Sequence, residues 1–136
     1  MHRVNWWAIL VSAIAFFILG AVWYGILFGA AWRSAIGSGV YVTTSGVATY
    51  SLVVTFVMAF FLAYGIARVL SWRGDLNPSR GLAIGASLGL LVFGTMTWMD
   101  YAFEMRGPLL GAINVGYVVI GMAIQGLILG AWKPRA

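Results

Sequence analysis

The sequence predicts an all-α membrane protein, a four-transmembrane-helix antiparallel bundle with short loops, forming a single transmembrane domain over its 136 residues. Three observations carry this. Residues are 62% hydrophobic, against only eight Lys or Arg and three Asp or Glu, far from the composition of a water-soluble domain. Four apolar stretches are each long enough to cross the hydrocarbon core. Short segments with helix-capping and turn chemistry separate them. Four spans of about 22 residues leave roughly 45 for termini and connections, too few for a second folded domain.

The first span is expected over 6–28, where Tyr24 is the sole ionisable side chain; about 23 residues at 1.5 Å rise cover roughly 34 Å. Asn5 reads as its N-cap. The span is read as retained, because Ala13-Ile14-Ala15 comes too early, and Gly29-Ala30-Ala31 too late, for signal-peptide cleavage. The connection Ala30 to Ala48 carries Gly37-Ser38-Gly39 and Thr43-Thr44-Ser45-Gly46, loop chemistry compatible with a short strand or interfacial turn. The second span is expected over 50–70. Asp75 and Asn77 before Pro78 place a capping side chain and a proline at the start of the third, over 79–103. Gly107-Pro108 suits the end of one helix and the start of the next, predicting a tight hairpin with the fourth span over 109–132.

Charge orients the bundle. Arg3, Arg68, Arg73, Arg80, Lys133 and Arg135 fall on one side and Arg33 and Arg106 on the other, which predicts cytoplasmic termini and argues against dual topology. Trp6, Trp7, Trp72 and Trp132 are expected at the inner interface, and Trp23, Trp32 and Trp98 at or near the outer one. Small residues mark possible seams: Ser51, Thr55, Ala59, Ala63 and Ala67 on span two are expected to face Gly81, Gly85 and Gly89 on span three. On span four Gly111, Gly116, Gly121 and Gly126 step by five, about 140° each, so that helix is expected to be approached from several sides.

Several function classes lose support. There is no cysteine and one histidine, His2, so thiolate chemistry, an imidazole metal cluster and haem ligation are not expected, and no cofactor is assigned. A net charge of +5 is spread singly between apolar runs, not as a basic stripe, so nucleic acid is not an expected partner. Phosphate-loop, dinucleotide, zinc-protease and nucleophile-elbow motifs are missing, and an enzyme is not expected.

The residues that remain are few. Asp100 and Glu104, four apart, would share one face near the outer end of span three; with Thr97 they can share a proton, bind a cation or line an entry vestibule. The plainer reading pairs one of them with Arg33 or Arg106 to pin the outer hairpin. Asn114 and Gln125 are expected to make polar contacts across the bundle, worth typically about 0.6 kcal/mol each, with Gln125 also able to contribute to a polar pathway. The Trp23-Tyr24 pair reads as an interfacial anchor ahead of a cofactor platform.

Asn5-Trp6, Gly20, Trp23-Tyr24-Gly25, Phe28-Gly29 and Trp32, followed by Tyr101, Phe103-Glu104, Arg106, Asn114, Gly116-Tyr117, Met122 and Leu129-Gly130-Ala131-Trp132, resemble the bacterial membrane family catalogued as domain of unknown function 1761. The resemblance spans nearly the whole chain and implies four spans with short connections, without an assigned activity. It singles out Trp23, Tyr24, Trp32, Glu104, Asn114 and Tyr117; Asp100 is not among them. The function expected is a packing or accessory subunit, in the lipid bilayer as a homo-oligomer or within a larger membrane complex. The alternative is a transporter or channel for a small solute, protons or cations, using Asp100 and Glu104.

Overall fold

The computed structural model describes residues 4–37, 45–74 and 76–132, with the side chains of 45–48 left aside. Its elements are α1 (Trp6–Val22), α2 (Gly29–Ile36), α3 (Ser45–Arg73), α4 (Pro78–Leu88), α5 (Thr95–Phe103) and α6 (Pro108–Ala131). A π-helical stretch, Trp23–Leu27, prolongs α1, and a second, Gly89–Gly94, joins α4 to α5. No strand occurs among the described residues. Among the described residues four helices are long and apolar enough to cross a membrane: Trp6–Leu27, Thr49–Arg73, Pro78–Phe103 and Pro108–Ala131, called spans one to four below.

The caps follow from local chemistry. Asn5 Oδ1 accepts from the backbone N–H groups of Trp7 (3.0 Å) and Ala8 (3.3 Å), two of the donors that a helix start leaves unpaired. Asn77 Oδ1 accepts from Ser79 N (2.9 Å) with Pro78 in the first turn, where a missing N–H costs nothing. Asp75 lies outside the described residues. Gly107 precedes Pro108 in an extended conformation, φ −65° and ψ 151°. The helix-ending role expected of that glycine falls to Met105, which takes the left-handed φ of 54°, and Arg106 N donates to Tyr101 O (2.9 Å) to close α5.

Two further expectations change. The connection after span one is helical over its first part: Ala30, Ala31 and Ala35 are strong helix formers, and α2 runs until Gly37 breaks it at φ 84°. Ser45 and Gly46, read as turn or loop, already belong to α3, while residues 38–44, where the sequence allows a short strand or an interfacial turn, lie outside the described residues. The seam expected between spans two and three is also different. Gly81, Gly85 and Gly89 meet the backbone of span four at Gly126, Met122 and Val119, and Gly130 meets Asn77. The Gly107-Pro108 turn delivers span four directly beside span three, and glycines on both helices let the backbones touch. These partners descend along span four as they climb span three, so the two helices run in opposite directions.

Span four is the axis of the molecule, packed against spans one, two and three, whereas span three leans on span four and touches span two only lightly. Its remaining glycines face several sides: Gly111 lies under the Trp98 ring, Gly116 under Trp23 and Gly121 under Phe16. Ala59 and Ala63 of span two are fully buried with Ile9, Ala13 and Met122, so this part of the small-residue strip of α3 packs toward spans one and four, while Ser51 and Thr55 stay exposed.

Candidate functional site

Polar side chains inside an apolar bundle must find partners within it, because an unsatisfied group there costs more than one in water. At the hairpin end of the molecule they do so on one cluster. Tyr24 Oη donates to Asn114 Oδ1 (2.5 Å), and Asn114 Nδ2 donates to Tyr101 Oη (2.8 Å), tying spans one, four and three together. Trp23 Nε1 donates to Ile113 O (3.1 Å), and Tyr117 Oη donates to Phe16 O (3.1 Å). Each bond joins span one or span three to span four.

Local backbone sets these directions. The π turn places one extra residue between Trp23 and Leu27, and Phe28 N donates to Trp23 O (2.7 Å), a five-residue loop in place of four. Trp23 itself continues the buried face of α1, following Ile9, Ala13 and Phe16 in ordinary α spacing with its N–H still donating to Leu19 O, so the extra residue re-aims what comes after it. Phe28, at φ −121° and ψ 8°, then breaks the helix, and α2 returns Trp32 to the Tyr24 ring, centroids 5.4 Å apart and nearly perpendicular. Tyr117 meets the other side of Tyr24 at 5.2 Å, again edge to face. Glycine makes the room: a Cβ at Gly20 would stand 2.8 Å from Tyr117 Oη, and one at Gly116 would stand 3.1 Å from the Trp23 ring.

Trp23, read from sequence as an interfacial anchor, is thus a core side chain, 9% exposed and bonded through its indole N–H. Trp98 covers Gly111 while remaining half open, and Trp6, Trp7 and Trp72 are exposed. Tyr24, Trp32, Asn114 and Tyr117 come together as one group. Tyr101 joins them although sequence reasoning gave it no polar role. Its signal was present, since Tyr101 and Asn114, thirteen residues apart, flank the Gly107-Pro108 turn symmetrically.

A second polar contact lies deeper, where spans one, two and four converge. Gln125 is fully buried, and its Nε2 donates to Ala59 O (3.0 Å) and, weakly, to Ser12 O (3.4 Å). Gln125 Oε1 and Ser12 Oγ, both buried, meet no hydrogen-bonding partner among the described residues. Ser12 is the residue that the sequence reading missed here: one serine in an apolar run carries no pattern.

The carboxylates behave differently. Glu104 lies just beyond the end of α5, where it pairs with Arg106, and the Arg106 guanidinium stands 5.4 Å from the Tyr101 ring centroid. Both partners are about half exposed. Asp100 is exposed and forms no ion pair among the described residues; Thr97 is half-buried, and Arg33 is exposed on α2. Among the described residues no three His, Cys, Asp or Glu side chains gather where a metal would be held.

Chemically, the Tyr24–Asn114–Tyr101 chain orients helices and leaves little scope for proton movement, since a neutral amide between two phenols cannot pass a proton without leaving its stable form. Comparison with curated proteins and with solved structures gave no match. The family model described as "Protein of unknown function (DUF1761)" matches residues 7–130, nearly the whole chain and including every member of the aromatic and amide cluster, and the chain belongs to that family.

Proposed function

We propose that this protein is a non-enzymatic packing or accessory subunit of the bacterial inner membrane, multi-pass, with both termini on the cytoplasmic side. One observation carries the reading: five polar side chains of the spans are directed inward to fix span four, as Trp23, Tyr24, Asn114, Tyr117 and Gln125 each bond to a neighbouring helix or its backbone. Polarity spent on internal ties supports a rigid module better than a route for solutes. Span three supports the same reading, because it rests on span four by its glycine face and leaves Leu91, Met96 and Met99 open to lipid or to a partner helix.

Photocross-linking in native membranes tests the proposal. A photoreactive residue at Leu91 or Met99 is expected to give a discrete adduct, either with a second copy or with a larger membrane protein. A lone monomer in mild detergent together with lipid-only adducts overturns the accessory reading. Flux in liposomes that is lost in Asp100→Asn or Glu104→Gln would replace it with transport.

A further inference from the structure

Between the hairpin-end half of span one and the facing part of span two lies a cavity of about 480 Å³. Its wall includes the rings of Phe17, Tyr24, Trp32 and Tyr117 together with Leu52 and Thr55, and no charged side chain among the described residues lines it. Leu52 and Thr55 are exposed, so the mouth opens sideways from the bundle, toward lipid when span one crosses a membrane. The volume lies within the roughly 300–1,000 Å³ typical of small-molecule sites, and about 150 Å³ already suffices for benzene. The cavity is built by backbone as much as by side chains. The π turn and the break at Phe28 bring Trp32 over Tyr24, and a Cβ at Gly25, another wall residue, would meet nothing within 4 Å.

The wall hydroxyls have a definite polarity. Each carries one proton, and all three protons are committed inside the protein: Tyr24 Oη to Asn114 Oδ1 (2.5 Å), Tyr117 Oη to Phe16 O (3.1 Å) and Thr55 Oγ1 to Ser51 O (2.7 Å). Each oxygen retains lone pairs, so toward an occupant these groups accept hydrogen bonds and do not donate them. A pocket of aromatic rings with acceptor oxygens, without charge and with a lateral mouth, selects an uncharged apolar body that bears a donor. We infer that the cavity between spans one and two binds a lipophilic phenol or alcohol that arrives through the bilayer, its body against Tyr24, Trp32 and Tyr117 and its hydroxyl donating to the wall. This site is independent of the accessory reading.

The full chain in phosphatidylcholine nanodiscs, dialysed against 2,6-diisopropylphenol or its methyl ether with empty discs as reference, tests the inference. The phenol is expected to show saturable binding, one per chain, above its partition into empty discs. The ether, similar in shape but without the donor, is expected to bind roughly 2- to 12-fold more weakly, the range that one net hydrogen bond supplies. Gly25→Leu, placed where there is room for a side chain, and Ala21→Leu, at an exposed position of the same wall, are each expected to abolish saturable binding while helix content is retained. Thr55→Val is expected to weaken the phenol and leave the ether unchanged. Uptake equal to that of empty discs, equal affinity for phenol and ether, or saturable binding that survives both leucine variants overturns the assignment.

Discussion

Replacing Gly81 by alanine is the sharpest test of how spans three and four hold together. A Cβ at Gly81 falls against Gly126 O well inside 3.0 Å, and one at Gly126 falls equally hard against Gly81 O, where ordinary contact is 3.4–4 Å. Neither obstacle is a flexible side chain, so the helices must part by about an ångström. A gap of 0.5–1 Å forfeits a quarter to a half of each contact, and about twenty atom pairs along the seam at 0.1–0.2 kcal/mol lose roughly 1 kcal/mol. Strain in the remaining contacts adds about 1–2 kcal/mol, and alanine's better helix propensity returns up to about 1 kcal/mol. The net expectation is a loss of about 1–2 kcal/mol. Gly65→Ala, in an exposed part of α3 where a Cβ meets nothing within 4 Å, is the control and should be neutral or stabilising. Unfolding by sodium dodecyl sulfate in maltoside micelles, followed by circular dichroism, measures both. Gly81→Ala with Gly126→Ala should cost at least about 0.5 kcal/mol less than the two losses added, because the first methyl has already widened the gap for the second. Equal stability of the Gly81 and Gly65 variants, or strict additivity, would refute the reasoning.

Gln125→Leu should leave stability unchanged or raise it by about 1 kcal/mol in the same assay, since it removes an unpartnered amide oxygen while the Ala59 and Ser12 carbonyls keep their place in helical backbone; a loss above about 1 kcal/mol would show that Oε1 is satisfied. Asn114→Leu should cost about 1–2 kcal/mol, from two cross-bundle bonds and two phenols left to find new partners, and should exceed the cost of Tyr101→Phe. Met105→Gly should stabilise by about 0.5–1 kcal/mol, because the φ of 54° strains any side chain but not glycine; a loss would mean that the turn is made otherwise. Glu104→Gln should change stability by less than about 1 kcal/mol, and 0.5 M salt should erase the difference, since its pair with Arg106 is half exposed.

Much of this was legible in the chain itself, and for definable reasons. Span lengths, the caps at Asn5 and Asn77 and the hairpin at Gly107-Pro108 depend on residues close in sequence, and there local chemistry decides. Asn114 and Gln125 stood out because an amide in an apolar run needs a partner. Their partners did not. Tyr101 resembled any aromatic at a helix end, Ser12 looked incidental, and Trp23 carried the usual marks of an interfacial anchor although it continues the α1 face of Ile9, Ala13 and Phe16 that the bundle buries. The glycine strip of span three was visible, but pairing it with span two matched spacing alone and ignored which helix the next turn delivers alongside.

The sequence by itself determined the number of apolar helices, their approximate ends and the scarcity of charge, because hydropathy and capping act within a turn or two of helix. Only the tertiary structure decided that span four is the axis, that Trp23, Tyr24, Trp32, Tyr101, Asn114 and Tyr117 form one cluster, and that a cavity opens beside them. Helix faces in an apolar medium are not sorted by escape from water, so their rotation is set by close contacts between distant residues. One additional backbone residue at Trp23–Leu27, with the break at Phe28, decides where α2 brings Trp32 back to Tyr24, and hydropathy gives no sign of it.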